Sequence, residues 1–88
     1  MTEDDYRDIA RSQDYGTPQE VSIAADTRRE THTHDQTSFV YVVSGRFILN
    51  TAEGSPAYGP GDIVILPANI PHAEEAGPEG ATILVARK

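Results

Sequence analysis

Apolar side chains are thinly spread over the first 20 residues and crowd into short runs after them. In the opening acidic arm, residues 1–20, the apolar positions after Met1 are Tyr6, Ile9, Ala10 and Tyr15. Tyr6, Ile9 and Ala10 follow the i, i+3, i+4 spacing of one helical face, which suits one or two turns capped by Thr2 and ended by Gly16 and Pro18. The same composition also suits a frayed arm, and the pattern alone leaves both open. From residue 21 onward the period shortens. Segments rich in Val, Ile, Thr, Phe and Tyr alternate with Gly and Pro punctuation, and they predict strands at 21–25, 30–34, 38–43, 46–50, 62–66, 71–76 and 81–86. No interval carries the length and 3.6-residue period of a crossover helix, so the expected fold class is all-β with antiparallel pairing over residues 21–88.

The punctuation is specific. Ser44-Gly45 between two apolar runs reads as a hairpin connection in which Gly45 takes positive φ. Gly59-Pro60-Gly61-Asp62 reads as a type II turn with Gly61 at the left-handed position. Between Pro67 and Pro71, Asn69 is the residue best suited to the left-handed region. The runs 39–43 and 63–66 are apolar on both alternating sets, so one set fills the interior and the other meets a second surface. For so small a chain, a second copy is the expected cover, and a homodimer follows.

Composition narrows the function classes. The 88 residues make one domain, and with no cysteine there is no disulfide to reinforce a thin core. A formal net charge of −7 repels a polyanionic backbone, so nucleic acid is not an expected partner. No apolar run approaches the roughly 20 residues of a membrane-spanning helix, and the acidic start does not read as a secretory signal. The expected location is cytoplasmic, with no membrane partner.

All three histidines fall in two short motifs, His32-Thr33-His34 and Pro71-His72. In an extended chain residues i and i+2 share a face, so the imidazoles of His32 and His34 project to one side and can share an ion. His72 from a neighbouring strand would supply a third nitrogen and leave positions for water or substrate. Two histidines in such a spacing are also common as plain surface residues. Their context separates the cases, because the pair precedes a polar turn and the third histidine follows a Gly-Asp-x4-Pro-x3-Pro pattern.

The stretch from His32 through Gly45 resembles the first signature of the cupin superfamily, HxH with a later glutamate and glycine. The stretch from Gly61 through His72 resembles the second signature. A 15-residue interval, 46–60, separates them, as in small single-domain bacterial cupins of the RmlC-like type. The resemblance covers residues 21–88 and implies a small antiparallel jelly-roll barrel, a double-stranded β-helix, around one metal ion. It places His32, His34 and His72 at the histidine ligand positions. Ser38 stands where the usual glutamate ligand would be, Asn69 where a glycine is usual, and Ala76 where an asparagine is usual.

A three-histidine site with water in its shell is therefore the expected cofactor centre, holding a divalent ion. Fe2+ is the first expectation, with Zn2+, Ni2+ or Mn2+ as alternatives. Glu74, two residues after His72, shares that ligand's face and is the candidate for a fourth ligand, for a group that supports the ligands by hydrogen bonding, or for a general base, unless the strand has already reached the barrel mouth and leaves it solvated. Ser38, Val40 and Phe47 are the expected substrate-pocket residues, with Val42 or Leu49 beside them. The resemblance implies dioxygenase-type chemistry on a small, anionic organic molecule. Isomerase, lyase or cyclase chemistry and a non-catalytic binding module are the alternatives.

Overall fold

A computed structural model describes residues 1–88. The elements in chain order are helix α1 (Glu3–Ser12) and strands β1 (Gln19–Ile23), β2 (Ser38–Thr51), β3 (Ala57–Tyr58), β4 (Ile63–Leu66) and β5 (His72–Arg87). No helix is long and apolar enough to cross a membrane.

The opening arm is a helix packed onto the sheet. Thr2 and Asp5 form a reciprocal cap: the Thr2 hydroxyl accepts the Asp5 amide at 3.1 Å and the Asp5 carboxylate accepts the Thr2 amide at 3.5 Å. Acidic residues in the first turn and Arg11 in the last suit the helix dipole. The helix stops before the predicted Gly16 and Pro18, because Asp14 already turns the chain at φ 61°. Tyr6 and Ala10 are buried against Phe39, Tyr41, Leu84 and Ala86, and the Tyr6 hydroxyl donates to the Phe39 carbonyl at 2.6 Å. This corrects one expectation. The outward apolar set of β2, expected to meet a second copy, is covered by the chain's own helix.

β2 and β5 correct a second. β2 joins the strands predicted at 38–43 and 46–50 and β5 joins those predicted at 71–76 and 81–86, so each is one long, bent strand, of 14 and 16 residues. Ser44-Gly45 is not a hairpin. It lies where the register between β2 and β5 shifts, between Val42 and Ser44 and again between Gly45 and Phe47. A bulge and a tight hairpin both place glycine at positive φ, so the local signal is the same for either. Gly45 and Gly80 both sit at φ 77°, and a Cβ on Gly45 would come within 2.0 Å of the Gly80 carbonyl oxygen. The strands approach closely there because Gly45 has no side chain, while a Cβ on Gly80 would face the Ile23 carbonyl oxygen at 3.0 Å.

Each bent strand contributes to both halves of the fold. The first part of β2 pairs with β4 and with the end of β5, while its second part pairs with β3 and with the start of β5. β1 pairs with 81–85 on the outer side of β5. The bends fold the halves over one interior, filled by Ile23, Val40, Val42, Phe47, Leu49, Leu66, Ala76, Ala81, Ile83 and Val85. The sheet runs β1-β5-β2-β3 with β4 on β2, and it does not close. The molecule is thus an open jelly roll, since β3 and β4 are too short to complete the expected barrel. The turn at 59–62 forms as expected, with the Asp62 amide on the Gly59 carbonyl at 3.0 Å and Gly61 at φ 87°. Asn69 likewise takes φ 65°.

Candidate metal centre

The segment holding His32 and His34 was expected as a strand at 30–34 and is instead irregular. It is tied to the start of β5 by isolated bridges, Arg28 with Glu75 and His32 with His72. Paired main-chain hydrogen bonds of 2.9 and 3.0 Å join His32 and His72. That single bridge sets the site, because it puts the two imidazoles side by side while the extended backbone keeps His34 on the same side as His32. Ring centroids lie 4.9 Å apart for His32 and His34, 4.5 Å for His32 and His72, and 5.1 Å for His34 and His72. The three rings converge.

Glu74 joins them from the next inward position of β5. Its carboxylate oxygens stand 3.1 Å from His32 Nε2, 3.3 Å from His72 Nε2 and 4.0 Å from His34 Nε2. One donor atom from each of the four residues lies within 4.8 Å of all the others. Side-chain exposure falls from 34% at His32 and 30% at His34 to 14% at Glu74 and 1% at His72, so the group opens to solvent on the His32 and His34 side only.

Hydrogen bonding fixes which nitrogen faces the group. His32 Nδ1 is 2.7 Å from the Glu30 carbonyl and His72 Nδ1 is 2.8 Å from the Ile70 carbonyl. A carbonyl only accepts, so each Nδ1 carries the proton and each Nε2 presents a lone pair. Those lone pairs face carboxylate oxygens, which are acceptors too. Glu74 Oε2 and His34 Nε2 are buried without a hydrogen-bond partner. Four acceptors turned toward one point repel one another unless a cation or a proton lies between them. Burial holds His34 below the usual imidazole range, with Arg87 and the other two imidazoles adding to the effect and Glu74 opposing it, so His34 stays neutral at pH 7. Donors about 2.1 Å from one ion stand roughly 3.4 Å apart in a tetrahedral shell, which the shorter contacts match. The donor set fits a divalent transition metal.

The other expected residues divide. Ser38, Val40, Phe47 and Leu49 line the cavity beneath the histidines, together with Val64, Leu66, Ile83, Val85 and Arg87. Val42 is fully buried in the core and does not line the cavity. Ser38 does not point its hydroxyl at the histidines: it accepts a hydrogen bond from Arg87 Nε at 3.1 Å. Arg87 escaped the sequence reading because an arginine next to a terminal lysine looks solvated. Its alternation with Ile83 and Val85 was the signal that places it on the inner face.

The sequence matches the cupin domain family over residues 19–86. The chain is a cupin. No curated protein matches it. Among solved structures, an RmlC-like cupin from Shewanella frigidimarina superposes with a TM-score of 0.68 at 20% identity, covering 77% of this chain and 60% of that one. The DMSP lyase DddQ from Ruegeria pomeroyi gives 0.72 at 23%, over 78% of this cupin and 36% of the lyase. An oxalate decarboxylase variant from Bacillus subtilis gives 0.70 at 24%, over 78% of this cupin and 20% of the enzyme. This cupin therefore spans less than two thirds of each of these three chains, and at such identities the likeness is one of fold.

Proposed function

We propose that this cupin binds one divalent transition-metal ion through Nε2 of His32, His34 and His72 and the Glu74 carboxylate, and acts on a small organic anion. The observation that carries this reading is the convergence of three imidazole nitrogens and a carboxylate, one donor atom from each lying within 4.8 Å of all the others. Fe2+ is the proposed ion and dioxygenase-type chemistry the proposed reaction, with Zn2+, Ni2+ or Mn2+ the other ions this donor set accepts. When bound, the ion supplies Lewis acidity and, for iron, redox chemistry.

The chain's own residues do the rest. His32 and His72 are oriented by the Glu30 and Ile70 carbonyls, which hold their lone pairs inward. Glu74 offsets one unit of the ion's charge, a role for which Ser38 lacks the carboxylate. Its distances to two Nε2 atoms favour a ligand over a free general base. A substrate approaches from the side where His32 and His34 are exposed, because Phe47 and Leu49 fill the interior. The cavity beneath the histidines offers about 20 Å³, room for about one water, so only a small group enters it.

The neighbours named as a decarboxylase and a lyase favour keeping isomerase, lyase or cyclase chemistry as the second reading. Reconstitution with Fe(II), Mn(II), Ni(II) and Zn(II), followed by elemental analysis, tests the site. One equivalent per chain is expected, falling by more than about 100-fold in affinity for His72→Ala. Oxygen uptake on thiols, β-diketones and hydroxy acids separates dioxygenase chemistry from the alternatives. Metal-free protein after every reconstitution, or normal binding by His72→Ala, overturns the proposal.

A further inference from the structure

Arg87 is the one permanent cation among the residues that line the cavity beneath the histidines. It closes β5 directly opposite Ser38 of β2, and the Ile83, Val85, Arg87 alternation turns its side chain inward. Nε is committed to the Ser38 hydroxyl at 3.1 Å. The guanidinium joins none of the chain's ion pairs, so its two terminal nitrogens have no carboxylate within 4.0 Å. Glu74 lines the same cavity, but its oxygens are turned to the three imidazoles. A guanidinium fork beside apolar walls, held by one bond and lacking a counter-ion, is built to take up an anion in two parallel hydrogen bonds.

Ser38 explains the design. A glutamate at this position would pair with Arg87 and cancel its charge, whereas a buried serine orients Nε and leaves the charge for a ligand. We propose that Arg87, positioned by Ser38, receives the carboxylate of a short hydroxy or oxo acid whose second oxygen reaches the ion held by His32, His34, His72 and Glu74. The proposal rests on the metal reading above and adds the substrate class and the residue that selects it. With about 20 Å³ inside, room for about one water, the cavity takes no more than part of the carboxylate, and the body of the acid stays at the mouth.

The test uses the full chain loaded with Co(II), whose visible absorption reports changes in its shell, titrated with glycolate and with its uncharged isostere glycolamide. Glycolate is expected to bind the native protein at least about tenfold more tightly than glycolamide does. Arg87→Met should erase that preference while leaving Co(II) affinity unchanged, and Arg87→Lys should fall between. Should Arg87→Met fail to fold, Arg87→Lys and the two ligands on the native protein decide the matter. Equal binding of glycolate and glycolamide by the native protein, or undiminished glycolate binding by the folded Arg87→Met variant, overturns the Arg87 assignment alone. Failure of the native protein to take up Co(II) overturns the metal reading, and this inference with it.

Discussion

His32 and His72 each give their Nδ1 proton to a carbonyl two residues earlier, so both rings are set for coordination by main chain alone. The cost appears at Glu74, whose carboxylate faces lone pairs. Glu74→Gln replaces one acceptor with an amide that can donate to an imidazole Nε2. The metal-free protein is therefore expected to gain about 1 kcal/mol, while the rise in Tm conferred by Zn2+ shrinks. Thermal unfolding with EDTA and with Zn2+ measures both, and a destabilised metal-free variant contradicts the acceptor-against-acceptor geometry. At this scale the sequence told a great deal: the spacing of His32 and His34 and the inward parity of Glu74 both follow from the two-residue period of extended chain. That Glu74 reaches all three rings did not follow, because it depends on the bridge between His32 and His72.

Among the elements, the helix and the two bends carry most of the organisation. α1 shields Phe39, Tyr41, Leu84 and Ala86 through Tyr6, and burial of that phenol pushes its pKa up to about 12, with the Ala86 backbone and Arg7 pulling the other way. Since the folded value lies above the unfolded 10.0, the folded state holds the proton more tightly. The stability this contributes is complete below pH 10 and is lost as pH rises from 10 toward 12. Alkaline unfolding followed by circular dichroism should be less steep across that window in Tyr6→Phe. The bend at Gly45 has a steric test. A methyl there would meet the Gly80 carbonyl, on a backbone at φ 77°, so Gly45→Ala is expected to cost at least about 3 kcal/mol in urea unfolding. A loss below about 1 kcal/mol would mean that the strands do not cross closely. Glycine at positive φ was legible from Ser44-Gly45, yet whether the chain reverses or merely bulges depends on the partner strand.

For the whole molecule, the helix covers the outward side of β2, one of the two surfaces on which a homodimer was expected. Ile63 and Ile65, outward on β4, remain at 36% and 53% exposure beside a strand edge that pairs only with β2. A homodimer stays our proposal at that edge, with antiparallel pairing of β4 to the β4 of a second copy. Light scattering should give a dimer mass that drops to the monomer's in Ile65→Lys, and a native monomer at micromolar concentration removes the proposal. The sequence by itself determined the β architecture, the turn at 59–62 and the three histidines, because each is written in side-chain period or in local φ preference. Only the tertiary structure decided that two pairs of predicted strands are single bent strands, that α1 roofs the sheet, and that Arg87 shares a cavity with the histidines. Those outcomes turn on which distant segments pack together, and pairing between residues dozens of positions apart leaves no signature in either segment read alone.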